Sequence, residues 1–131
     1  MRARSTTLAQ QHDQPTCLYR FAVSLWGMKC LVVSDIHYDL KQYDWVLNQA
    51  AAYDIVVLAG DHLDISSTVD IRSQITVIQA YMRRIAAKTR LLVCSGNHDL
   101  DARNSAGEKY ARWIQRVRHF GVPTDTDSLK L

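Results

Sequence analysis

The chain has 131 residues, 47% of them apolar and 22% charged, with a formal net charge of +3. That length allows one domain with a real core and no more, and Arg and Lys spread along the chain describe a solvated surface rather than a nucleic-acid-binding patch. No apolar stretch approaches the roughly 18 residues that a membrane-spanning helix needs.

Residues 1–27 differ in character from the rest of the chain. Met1 to Thr16 is polar, with Gln10-Gln11, Asp13 and Pro15 and no periodic apolar face. The more apolar stretch from Cys17 to Trp26 is interrupted by Arg20 and lacks a small-residue cleavage site, which argues against a secretory signal. Arg2-Ala3-Arg4-Ser5-Thr6-Thr7 has the composition of an organelle leader, but Asp13 and the missing amphipathic spacing count against one. The expectation is a disordered or spurious extension over 1–27, with Met28 as the natural start and a partial domain over 28–131.

From Met28 the pattern runs strand, helix, strand, helix, strand, helix. Leu31-Val32-Val33-Ser34, Ile55-Val56-Val57-Leu58-Ala59 and Leu91-Leu92-Val93-Cys94-Ser95 have the length and composition of strands buried on both faces. Tyr43, Val46, Leu47, Ala50 and Ala51 follow the spacing of one helical face. Ile71, Ile75, Ile78, Met82 and Ile85 predict a second helix of about five turns, with Ser66, Ser67 or Thr68 as N-cap and Asp70 in its first turn. Tyr110, Trp113, Ile114 and Val117 mark a third, capped by Asn104 or Ser105 and stopped by Gly121 and Pro123. The fold class is therefore α/β, a parallel sheet with βαβαβα crossovers. Cys17, Cys30 and Cys94 form no CxxC pair, and Cys30 and Cys94 fall in strands as small apolar side chains, which fits a reducing cytoplasm.

Each strand is followed by a polar string: Asp35-Ile36-His37, Gly60-Asp61-His62-Leu63-Asp64 and Gly96-Asn97-His98-Asp99. The carboxyl ends of parallel strands are where open α/β sheets hold their ligands. Asp35 and His37, two apart at a strand end, can point the same way and share one metal. The carboxylate of Asp61 can bridge two ions about 3.5–4 Å apart. Asn97 offers a neutral oxygen, and His98, oriented by Asp99, could give a proton to a leaving oxygen. Carboxylate, imidazole and amide oxygen together suit a hydrolytic divalent metal rather than a cysteine-caged zinc.

These strings resemble the amino-terminal half of a calcineurin-like metallophosphoesterase, whose pattern runs DxH, GDxxD, GNH(D/E), a lone His and then GHxH. The resemblance covers residues 28 to about 127. It implies half of an αββα sandwich, with a phosphomonoester or phosphodiester as substrate, either a small molecule or a nucleotide. It also implies two divalent ions (Mn, Fe, Zn or Ni): Asp35 and His37 on the first, Asp61 bridging, Asn97 on the second. His98 is then the general acid with Asp99 as its partner, and Asp64 a carboxylate behind the ligands that orients them. No Gly-His dipeptide follows Asp99, so the later histidine ligands have no counterpart and the second site is incomplete. The alternative is a non-catalytic fragment or partner-binding module from a split or frameshifted gene.

Other residues read more plainly. His62 is a loop residue or a substrate contact, and Tyr38 and Asp39 line the pocket mouth or cap a helix. Arg103 clamps a phosphate or, with Asn104, serves surface charge and capping; His12 and His119 face solvent, and Trp45 and Trp113 pack against the sheet.

Overall fold

A computed structural model describes residues 4–6, 19–25, 27–125 and 127. Three strands, β3 (Met28–Ser34), β4 (Ile55–Ala59) and β5 (Arg90–Cys94), run parallel and side by side in that order. Their register places Leu31 beside Val56 and Leu91, and Val33 beside Leu58 and Val93. All six are buried, so two apolar rows cross one face of the sheet. Helix α1 (Leu40–Gln49) joins β3 to β4 and α2 (Ile71–Ala86) joins β4 to β5. Both crossovers step the same way across the sheet, and right-handed βαβ units then put both helices over the same face. They pack together there, with the Tyr43 and Tyr81 rings 5.3 Å apart and the Tyr81 hydroxyl donating to Asp44 at 2.6 Å. On the opposite face Cys30, Val32, Val57, Leu92 and Cys94 are only half-buried.

The sheet does not begin at Met28. Strand β2 (Tyr19–Leu25) pairs antiparallel with β3, and the short β1 (Arg4–Thr6) pairs antiparallel with β2. Gly27, at φ +83°, sits in the tight turn between β2 and β3. Part of the expected extension is thus an edge of the sheet; the rest of it, with Cys17 and His12, lies outside the described residues. Arg20 does not interrupt the strand. At a period of two it falls on the face opposite Phe21 and Val23, and its guanidinium lies 3.9 Å from the Trp45 ring centroid and donates to the Gln42 side chain. Burial lowers its pKa, an effect that nearby Asp39 partly offsets.

The first helix starts at a cap the sequence offered, and the second starts later than expected. Asp39 caps α1, accepting from the Lys41 and Gln42 amides. Asp70 is the cap of α2 rather than a first-turn residue, accepting from the Ser73 amide at 3.0 Å, so Ser66, Ser67 and Thr68 are left in the preceding loop. Ala51, expected on the buried face of the first helix, is exposed in a 3-10 turn over Ala50–Ala52.

The third helix is much shorter than its apolar spacing predicts. Strands β6 (Ala102–Arg103) and β7 (Lys109–Tyr110) form a small ribbon, and α3 covers only Arg112–Gln115 before a 3-10 turn over Arg116–Phe120. Asn104 is not a helix cap; its side-chain oxygen accepts from the Ala106 and Glu108 amides and closes the ribbon's turn. That is the local bonding that makes Asn a turn former in preference to a helix former. Trp113, Ile114 and Val117 are nevertheless buried, and Gly121, in the left-handed region at φ +74°, ends the segment. The Pro123 carbonyl then accepts from the Val93 amide on β5 at 3.1 Å, and Arg118 pairs with Asp127 at 2.8 Å.

The fully buried Ile78 on α2 and the exposed Arg72 earlier on the same helix give a direct check of this packing. Ile78→Ala is expected to lower the unfolding free energy by about 2–5 kcal/mol. Arg72→Ala is expected to change it by no more than about 0.5 kcal/mol. Both values are read from urea titrations followed by circular dichroism.

Candidate metal centre

The three polar strings meet at the carboxyl edge of the parallel sheet. Past the ends of β3 and β4 their two loops go on pairing: the amides of Asp35, His37 and Tyr38 donate to the carbonyls of Gly60, Asp61 and His62 at 3.1, 3.0 and 2.8 Å. The backbone there is strained. Asp35, His37, Tyr38 and Asp61 have φ of 57°, 47°, 59° and 54°, the only non-glycine residues with positive φ among those described. A left-handed conformation costs an L-residue roughly 1–2 kcal/mol, and such strain persists where surrounding contacts over-determine it.

Those contacts are visible around Asp61. Its Oδ1 accepts from the His98 amide at 3.0 Å, so the third string holds the carboxylate of the second. The cradle for that carboxylate is Gly96, where any Cβ would overlap the Asp61 side chain. Gly60 is equally confined, at φ +100° with its Cβ position 2.9 Å from the Gly96 nitrogen. Ser95, just before Gly96, is fixed from the other side, its amide donating to Asp125 at 2.7 Å.

Asp35, His37 and Asp61 are half-buried and each offers a ligand atom within 4.8 Å of the others. His37 Nε2 lies 3.8 Å from an Asp35 oxygen, and the other Asp35 oxygen accepts from the Ser34 hydroxyl at 2.6 Å. Two carboxylates and an imidazole are donors that suit Mn, Fe, Ni or Zn. The His37 and His98 rings stand edge to face, 4.8 Å between centroids, and the buried Nδ1 of His98 has no hydrogen-bond partner among the described residues. Asn97 is exposed at the start of a 3-10 turn over Asn97–Asp99. Hydrogen bonds from the Ser66 hydroxyl and amide hold the Asp64 carboxyl below the usual carboxylate range, with the nearby His37 and His98 adding to the effect.

Asp99 stands elsewhere than beside the His98 imidazole. It is fully buried, and both of its oxygens serve backbone amides: Oδ1 accepts from His62 and Leu63 at 2.8 and 3.0 Å, Oδ2 from Gly96 at 2.8 Å. Its own carbonyl accepts from the Trp113 indole at 2.9 Å. His62, expected in a plain loop or against substrate, is fully buried as well. One ring nitrogen meets the Tyr43 hydroxyl and the other the Cys94 carbonyl, each at 3.0 Å. Burial, and secondarily the charge of Asp99, raises Tyr43 well above the ordinary tyrosine range. Gln74 on α2, also fully buried, donates to the Asp64 and Val69 carbonyls and accepts from the Asp64 amide.

A family model for calcineurin-like phosphoesterases matches residues 28–129. The chain belongs to that family. The matched stretch corresponds to the amino-terminal half of such a domain, and the family implies divalent metal ions and a phosphoester substrate. No curated protein matches the chain. No helix among the described residues is long and apolar enough to cross a membrane.

In this calcineurin-like phosphoesterase the three strings come together as their order in the chain implied, whereas the buried role of His62 was not expected and Gln74 was not singled out. For Gln74 the sequence signal is an amide on the apolar face of the second helix; His62, inside a polar string, carries none.

Two substitutions test the cradle and the buried hydroxyl. Gly96→Ala forces the Asp61 carboxylate aside and is expected to lower stability by about 1–3 kcal/mol, measured by urea titration. Tyr43 keeps its proton to higher pH in the folded chain than in the unfolded one, so its contribution is complete below about pH 10 and is lost as pH rises through the folded value. The alkaline fall in melting temperature above about pH 10 is therefore expected to be shallower in Tyr43→Phe.

Proposed function

We propose that the chain hydrolyses phosphate monoesters or diesters with divalent ions held at the carboxyl edge of its sheet. The observation that carries this reading is the convergence of Asp35, His37 and Asp61 within 4.8 Å, in a chain of this family. Asp35, His37 and Asp61 hold the first ion; Asp61 and Asn97 are the donors for the second. An ion bound there polarises a phosphoryl oxygen and neutralises its charge. His98 gives the leaving oxygen its proton, a role supported by its ring standing beside that of His37, 4.8 Å between centroids. Asp64 and Asp99 hold the surrounding loops, and with their help residues 28–131 carry the site while 19–25 extend its sheet.

Small phosphoesters and nucleotides suit the scattered surface charge better than a nucleic acid does. Free thiols at Cys30 and Cys94 support a cytoplasmic setting. One observation favours a second reading, a metal-binding module without turnover: among the described residues only one cluster of three His, Cys, Asp or Glu ligands occurs.

Hydrolysis of bis(p-nitrophenyl) phosphate and of an alkyl phosphodiester, with and without Mn²⁺, separates the two. Turnover is expected with Mn²⁺, to be abolished by a chelator, and to fall at least 100-fold in Asp61→Asn, with outer supports mattering less than this ligand. His98→Ala is expected to cost about 10²–10⁴-fold on the alkyl ester, whose leaving alkoxide needs a proton, and far less on p-nitrophenolate. Mn²⁺ binding without turnover selects the second reading, and neither binding nor turnover overturns both.

A further inference from the structure

We propose that His62 is a positioning residue for Asp61, setting the angle at which that carboxylate meets a metal ion through a buried imidazole bridge between α1 and β5. The proposal rests on the metal-centre reading and deepens it. His62 comes directly after Asp61, whose φ of 54° is strained, and it is held at four points. Its amide donates to Asp99 at 2.8 Å and its carbonyl accepts from Tyr38 at 2.8 Å. Its ring meets the Tyr43 hydroxyl and the Cys94 carbonyl, each at 3.0 Å.

The ring bonds assign a tautomer. A carbonyl can only accept, so Nε2 carries a proton and donates to Cys94; with the proton there, Nδ1 is the acceptor for the Tyr43 hydroxyl in the Nε2–H tautomer. One imidazole thereby uses both its donor and its acceptor, joining the middle of α1 to the end of β5 across the loop that presents Asp61. An apolar side chain would fill the same space without burying a polar ring. The polar bridge gives what filling cannot: two directed bonds that fix the residue next to Asp61 in rotation as well as position. The edge-to-face contact with Trp113, 5.9 Å between centroids, locks the plane of the ring. Gln74 grips the far end of the same loop at Asp64, so two buried polar clamps hold the stretch that follows Asp61.

The test compares the full chain with His62→Phe, His62→Gln and the double variant Tyr43→Phe/His62→Phe. Three quantities are measured: melting temperature, amide exchange, and Mn²⁺ affinity by electron paramagnetic resonance. His62→Phe is expected to weaken Mn²⁺ by about 10–100-fold and to speed exchange at the Tyr38 and His98 amides at least tenfold, while the β4 amides keep their protection. His62→Gln keeps a donor for the Cys94 carbonyl and is expected to restore affinity to within about threefold of the parent. In the double variant the Tyr43 side of the bridge is apolar and only the Cys94 carbonyl still lacks its donor, so melting temperature is expected to recover in part while Mn²⁺ affinity does not; this holds the comparison even where the single Phe variant fails to fold.

Unchanged exchange and affinity in His62→Phe overturn the proposal. Affinity that recovers in step with melting temperature in the double variant overturns it too, because the ring would then be filling and nothing more. A parent chain that binds no Mn²⁺ overturns the metal-centre reading instead, and the exchange rates at Tyr38 and His98 still decide whether His62 positions the loop.

Discussion

The carboxylate of Asp99 is the interaction on which the rest of the edge depends. Buried away from water, it accepts three backbone amides, two from the string after β4 and one from the string after β5. Hydrogen bonds to a charged group are each worth about 1.5–3 kcal/mol net, and here they tie together two loops that are some 36 residues apart in the chain. An isolated buried carboxylate would be very unfavourable; one that satisfies three otherwise orphaned amides turns that cost into a fixed junction. Its carbonyl extends the junction to the Trp113 indole, so the segment after β5 is anchored to the same point.

Around that junction the fully buried polar side chains, His62, Gln74 and Asp99, all act on the loop from Gly60 to Asp64. None of them is needed to fill the core, which Leu31, Val56, Ile78, Met82 and their neighbours do without polar atoms. The polar set instead offsets local strain. Four residues with left-handed backbone would relax in an open loop; between parallel ladder bonds on one side and buried clamps on the other they cannot. The outcome is that Asp35, His37 and Asp61 face one another before any ion arrives, which reduces the reorganisation that binding requires.

Much of this was legible along the chain. Three short apolar runs, each ending in a polar string, carried both the parallel sheet and the place of its site, because buried strands and strand-end ligands leave period and position in local sequence. Other features were hidden for physical reasons. Arg20 read as an interruption of an apolar stretch, whereas in β2, paired on both sides, side chains alternate between faces and Arg20 lies on Trp45. Tyr110 to Val117 kept a helical spacing, yet Asn104 closes a turn within its own neighbourhood and α3 shrinks to Arg112–Gln115.

By itself the sequence determined which chemistry gathers at the sheet edge: oxygen and imidazole donors at the ends of successive strands, with glycines at Gly60 and Gly96 where two loops must touch. Only the tertiary structure decided what each neighbouring polar residue does. Asp99 sits beside His98 in the chain, but the turn over Asn97–Asp99 points it inward to the amides of His62, Leu63 and Gly96. His62 sits beside Asp61 but points the other way, into the gap between α1 and β5. Adjacent side chains on a tightly turning backbone diverge, and which one meets solvent and which one is buried depends on elements far away in sequence. Local pattern names the donors, and packing across the loops assigns the ligands and their supports.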